Sequence, residues 1–110
     1  MITLLKSKIS CRVADCNIDY EGSITIPKDL MTKAGIYQYE QVHVLNKRNG
    51  ERAITYAMEG SEVCLNGALA ILGDIDDKII ILAYRTVNMI GDSGAEWGTW
   101  QPKIVKEKDD

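Results

Sequence analysis

The 110 residues predict a small, mainly β barrel with short helices. Short runs alternate apolar and polar side chains as half-buried strands do, and the "NKRNGERAITY" stretch places Asn49-Gly50 between two of them as a hairpin signal. A chain of this length has material for one core and not two, so we expect a single domain over 1–110. Closing the sheet removes the edges that would otherwise pair with other chains.

The elements follow in order. Strands are expected over 2–6, 11–14 and 23–26, the last because Ile24 and Ile26 alternate with Ser23 and Thr25. Pro27 can open a short helix, since the first helical position needs no backbone donor, and Gly35 can close it in the left-handed conformation. Further strands are expected over 41–46, 52–58 and 62–65. A second short helix fits "NGALAILGD", between Asn66 and Gly73. "KIIILAY" is apolar on both faces, which places the strand over 79–87 across the core. The remaining "NMIGDSGAEWGTWQPKIVKEKDD" loses periodicity, and residues from about 103 to 110 read as a disordered tail. Trp97 and Trp100 are expected to pack on the body or on a neighbouring subunit.

Composition excludes several classes. The formal net charge is −3 with no strongly basic stretch, which argues against nucleic acid as a partner. Cys11, Cys16 and Cys64 form no CxxC pair and read as thiols in a reducing compartment. The apolar run before Lys6 is too short for a signal-peptide core, and no run suits a membrane span, so a cytoplasmic protein is expected. The one histidine, His43, alternates with Val42 and Val44 and is expected to face water. A Ser-His-Asp triad, a histidine-based metal site and a phosphate-binding loop are all unsupported.

If the chain is an enzyme, its reactive group must come from elsewhere, and Gly22-Ser23 can supply one. The dipeptide alone reads as a turn; the chain has a second, Gly60-Ser61. Context decides between the readings. "YEGSITI", "NGERAITYAM", "VCLNGALA", "DKIIILAY" and "WQPKIV" resemble, in the same order, blocks of the pyruvoyl-dependent aspartate 1-decarboxylase family. That resemblance implies a double-psi β-barrel, a homotetramer with active sites between subunits, and a proenzyme cut at Gly22-Ser23 into 1–22 and 23–110. It further implies decarboxylation of L-aspartate to β-alanine for pantothenate synthesis, with a pyruvoyl cofactor derived from Ser23, no metal, and an accessory maturation factor as a further candidate partner. By the same resemblance, Ser23 in its pyruvoyl form makes the Schiff base with substrate. Tyr56 matches the proton donor, and Thr55 the threonine that assists processing and contacts substrate. Arg52 and Lys8 match the cations that hold the remaining carboxylate, and Asn66, Gly67, Ala68 and Leu69 match the loop lining the pocket.

The cut has its own physical logic. A serine hydroxyl can attack the preceding carbonyl when the peptide is held in a sparsely populated geometry, and glycine on the acyl side leaves the approach open. A guanidinium binds carboxylate in a planar two-bond fork, which suits Arg52 to an aspartate substrate. Strand alternation puts Arg52, Ile54 and Tyr56 on one face and Thr55 on the other, so a twist, a bulge or a second subunit is needed for Thr55 and Tyr56 to serve one site. The chain also departs from the family. Ser10 or Cys11 stands where histidine is usual, the span from Lys8 to Gly22 is one residue short, Leu69 replaces alanine, and Leu45 replaces an aromatic residue.

Two other readings compete. "GSITIPKDLMTKAGI" also resembles swapped-hairpin DNA-binding regulators and antitoxins, although Ser23 and Met31 stand where phosphate-binding cations are usual. The other is an unprocessed structural relative, which would keep an intact chain.

Overall fold

A computed structural model describes residues 1–88 and 100–108. Its strands are β1 (Ile2–Arg12), β2 (Asp15–Asn17), β3 (Ser23–Pro27), β4 (Gln41–Asn46), β5 (Arg52–Gly60), β6 (Cys64–Asn66), β7 (Lys78–Val87) and β8 (Lys103–Lys106). A helix, α1 (Lys28–Ala34), and a 3₁₀ helix (Gly67–Leu72) complete the described elements. The strands hydrogen-bond in the order β2-β6-β3-β5-β4-β7-β1-β8, a mainly β architecture consistent with the small barrel expected.

β5 positions the site because it changes partner midway. From Arg52 to Tyr56 it runs antiparallel to β4, with Arg52 opposite Leu45 and Tyr56 opposite Gln41. From Ala57 to Gly60 it runs parallel to β3, with Ala57 opposite Ile24. Inward side chains of these strands, among them Ile9, Ile24, Ile26, Val42, Ala57, Leu65, Ile79 and Ile81, form one buried cluster. Each buried isoleucine contributes roughly 1.5–3 kcal/mol, enough in sum to hold strands of three to five residues that have no stability alone.

β3 and α1 form as their residues dictate. Ile24 and Ile26 are fully buried, and Pro27 leads into a helix that sinks Leu30, Met31 and Ala34 into the core. At its end Gly35 takes φ 70°, its N–H bonded to the Thr32 carbonyl and the Ile36 N–H to that of Met31. This is the left-handed glycine stop the sequence predicts. In the β4–β5 loop Gly50 has a positive φ of 74°, but Asn49 does not, so the connection is a longer loop than a two-residue turn.

The structure corrects three expectations. Strands expected over 2–6 and 11–14 are one strand, because Ser7, Ile9 and Cys11 continue the inward alternation; a register shift against β7 between Leu5 and Ser7 had hidden it. The strand expected over 62–65 is displaced to Cys64–Asn66, where it pairs with both β2 and β3. Residues 103–106 of the supposed disordered tail form β8, parallel to β1, with Val105 buried beside Ile9. His43 lies on the outer face opposite the buried Val42 and Val44, as alternation predicts, and is half-buried there with its ring edge against Tyr84 at 4.9 Å between centroids. Trp100 does pack on the body: its Nε1–H donates to the Leu5 carbonyl at 2.8 Å, and Arg85 lies over its ring. Trp97 lies outside the described residues.

One polar lock closes the far end of the β4–β5 hairpin. Asp77, almost fully buried, accepts from Arg48 Nε at 2.6 Å, Asn46 Nδ2 at 2.8 Å and the Asp74 N–H at 2.8 Å. Arg48 first, then Asn46 and the Asp74 amide, hold its carboxyl well below the ordinary range against the opposing effect of burial. A depressed carboxyl pKa contributes stability that is present above the unfolded value, near 3.9, and lost as pH falls through the folded one. Asp77→Asn should therefore lower stability at neutral pH by about 1–3 kcal/mol and flatten the acid limb of the stability profile. Denaturant unfolding from pH 7 to pH 2 reads both effects.

Candidate active site

The Gly22-Ser23 peptide sits where the β2–β3 connection enters the sheet. Gly22 is exposed, whereas Ser23, the first residue of β3, is only 5% exposed and lies opposite Asn66 of β6. The Ser23 hydroxyl donates to the Glu21 carbonyl at 3.2 Å and accepts from Asn66 Nδ2 at 3.1 Å. The same Asn66 nitrogen donates to Thr25 Oγ1 at 2.8 Å, and Asn66 Oδ1 accepts from the Cys64 thiol at 3.0 Å. The nucleophile candidate is thus held on two sides, which removes rotamer freedom before any reaction.

Gly67 presses on this peptide from below. Its φ of 63° disfavours any side chain, and a Cβ there would lie 2.6 Å from both the Gly22 nitrogen and the Tyr20 carbonyl oxygen. These neighbours are backbone atoms and cannot rotate aside. Gly67→Ala should push the 20–22 segment out of place, adding to a left-handed penalty of roughly 1–2 kcal/mol. We expect a folded chain in which the Gly22-Ser23 cleavage expected from the sequence is impaired, read by gel and by circular dichroism; normal cleavage would show that the 20–22 path is not constrained by Gly67.

Two clefts flank the peptide and share Tyr56. One, of about 400 Å³, is lined by Gly22, Thr55, Tyr56, Ala68 and Leu69 with Ala53, Ile54 and Leu72. The other, of about 340 Å³, is lined by Ser23, Thr25, Tyr56 and Asn66 with Tyr20, Glu21, Met58 and Glu59. These volumes suit a small metabolite rather than a polymer. The Gly22-Ser23 peptide is therefore a partition, with Gly22 on one side and Ser23 on the other. Thr55 and Tyr56 line the same cleft despite strand alternation, at the point where β5 leaves β4 for β3. The Tyr56 ring also lies 6.0 Å from that of Tyr39.

The structure thus gathers Gly22, Ser23, Thr55, Tyr56, Asn66, Gly67, Ala68 and Leu69. Arg52 and Lys8 stand apart. Lys8 of β1 pairs with Leu82, Leu82 with His43, and His43 with Ile54, so these side chains share the outer sheet face. Arg52 is exposed beside that row, and its Nη1 lies 3.2 Å from His43 Nδ1. Thr25 and Cys64 join the site although no motif singles them out. The signal was present: each lies two residues along a strand from a chosen residue, Ser23 or Asn66, and so points to the same face. Among the described residues no cluster of three or more His, Cys, Asp and Glu could hold a metal ion, and no helix is long and apolar enough to cross a membrane.

Fold and cleft together define a small, mainly β protein with a hydroxyl- and amide-lined pocket built against its own Gly-Ser peptide. The family described as Aspartate decarboxylase matches residues 1–110, and the chain belongs to that family of carboxy-lyase enzymes. Similar relatives include the Aspartate 1-decarboxylase of Dehalococcoides mccartyi (strain ATCC BAA-2266 / KCTC 15142 / 195), 52% identical over 107 residues, 93% of this chain and 82% of the relative. That of Caldicellulosiruptor saccharolyticus is 46% identical over 110 residues, 96% of this chain and 82% of its own. A Campylobacter jejuni (strain RM1221) relative of the same name is 44% identical over 108 residues, 94% of this chain and 82% of its own.

Proposed function

We propose that the chain cleaves itself at Gly22-Ser23 and then decarboxylates L-aspartate to β-alanine and carbon dioxide, the step that serves pantothenate synthesis, in the cytoplasm. The observation that carries this reading is the buried Ser23 hydroxyl, held by Asn66 and the Glu21 carbonyl at the wall between two clefts.

In the first reaction Ser23 Oγ attacks the Gly22 carbonyl carbon, its proton passes to the departing nitrogen, and the amide becomes an ester. Thr55, in the cleft that Gly22 lines, is suited to polarise that carbonyl by hydrogen bonding. Loss of the Ser23 α-proton expels the Gly22 carboxylate and leaves dehydroalanine; water then enters and ammonia leaves. Fragments 1–22 and 23–110 result. Flanking strands hold both: β1 and β2 of the first pair with β7, β8 and β6 of the second.

The residues present fit a pyruvoyl group at position 23. Ser23 is buried against the Asn66 amide, and the missing Cβ at Gly67 leaves the adjoining backbone its room. Such a ketone supplies an electron sink for the bond that breaks when carbon dioxide leaves. Tyr56, common to both clefts, is placed to deliver a proton to the substrate α-carbon. Asn66 and the backbone of Gly67, Ala68 and Leu69 orient the substrate, and Leu69 narrows the pocket where alanine would widen it.

Arg52 and Lys8 are assigned to the surviving carboxylate of aspartate. Both lie on the outer face, away from Ser23 of their own chain, which supports a homotetramer whose sites form between the cleft of one subunit and the outer face of another. An accessory maturation factor belongs to the same reading as a partner of the uncleaved chain. β-Alanine release from aspartate by the purified protein is the direct test. In it Arg52→Ala should raise KM at least about ten-fold, the loss of one charge-assisted pair. An unchanged KM would remove Arg52 from the substrate.

A further inference from the structure

We infer that Cys64 is a positioning residue for chain scission: its thiol sets the orientation of the Asn66 side-chain amide and thereby the hydrogen bonding of Ser23. The inference rests on the self-cleavage reading above and adds to it a residue which that reading does not use.

Asn66 is 4% exposed, and its amide meets three side chains. Two of them, Ser23 and Thr25, are hydroxyls, which donate or accept with equal ease. Thr25 does not decide which end of the amide faces it, and Ser23 favours the N–H end only while its own proton stays on the Glu21 carbonyl. The third is the Cys64 thiol, 3.0 Å from Asn66 Oδ1. A thiol is a weak donor and its sulfur a weak acceptor: the Oδ1 end of the amide gains the S–H bond, whereas an amide turned the other way would set an N–H against a poor partner. Among the described residues the thiol's other acceptor is the Leu65 carbonyl, at 3.9 Å. Burial, followed by Asp15, Cys16 and Glu62, pushes the Cys64 thiol up, which keeps its proton in place as a donor.

The consequence reaches the scissile bond. With Oδ1 held by Cys64, Nδ2 points at both Ser23 Oγ and Thr25 Oγ1. Ser23 must then accept from Asn66, and its own proton is directed to the Glu21 carbonyl. In the opposite orientation Ser23 would donate to Asn66 Oδ1 and lose its bond to Glu21, and its oxygen would be free to leave the position next to Gly22. The orientation that Cys64 enforces is the one that holds the nucleophile still.

The test follows freshly synthesised full-length chain in cell extract by intact mass, giving a first-order rate of scission for each variant. Cys64→Ala should slow scission about five-fold, the worth of one neutral hydrogen bond. Cys64→Ser, which keeps a donor at the same position, should restore the rate. In an Asn66→Ala background the Cys64→Ala change should have no further effect, since the group it acts through is gone. Wild-type scission with an unaltered rate in Cys64→Ala, or the same slowing with and without Asn66, overturns the inference while leaving self-cleavage standing. Failure of the unsubstituted chain to break at all overturns both.

Discussion

Ser23→Ala should leave one intact chain with no decarboxylase activity. The substitution removes the only atom that can attack the Gly22 carbonyl from within the scissile dipeptide, and with it the precursor of the ketone. It should do so without unfolding the protein. Ser23 begins a strand whose neighbours Ile24 and Ile26 carry the burial, and Asn66 Nδ2 keeps Thr25 Oγ1 as an acceptor at 2.8 Å. We expect thermal stability within about 1 kcal/mol of that of the uncleaved parent chain, the net worth of an ordinary hydrogen bond. Gel electrophoresis, calorimetry and β-alanine release read the three parts of this prediction separately. Substantial activity in this variant would remove position 23 from the chemistry.

Tyr56→Phe should separate the two reactions. The change deletes one oxygen, keeps the ring that lies against Tyr39, and preserves the course of β5 at its change of partner. Cleavage should proceed to completion, because the attacking and leaving groups belong to Ser23 and Gly22. Turnover should fall by about 10²–10⁴-fold, the usual contribution of a positioned proton donor. A normal kcat would reassign the proton to another group of the cleft. Failure to cleave would move Tyr56 from the second reaction to the first.

What could be read from the sequence divides along the range of the interactions. The β3–α1 unit was legible because its signals are local: Ile24 and Ile26 two apart, Pro27 at the helix start, Gly35 at its end. β1 was split in two because the irregularity between Leu5 and Ser7 shifts its pairing register midway. β8 was taken for disorder because four residues acquire strand geometry only by lying parallel to β1, nearly a hundred residues earlier in the chain. The site shows the same division. Gly22-Ser23 was ambiguous on its own and gained meaning from ordered blocks along the chain. That Asn66 lies directly opposite Ser23 is a matter of long-range antiparallel pairing, which no local pattern encodes. Alternation grouped Arg52, Ile54 and Tyr56 on one face. The structure leaves Arg52 exposed and outside both clefts, Ile54 exposed at the edge of one, and Tyr56 lining both beside the Gly22-Ser23 peptide where β5 exchanges β4 for β3.

The measurement that bears most directly on the central claim is the intact mass of the purified, active protein. Self-cleavage predicts two species: residues 1–22 ending in a free carboxylate, and residues 23–110 lighter by one ammonia than a serine-terminated fragment and refractory to amino-terminal sequencing. A single species with the mass of the unbroken 110-residue chain, in a preparation that releases β-alanine from aspartate, would contradict it.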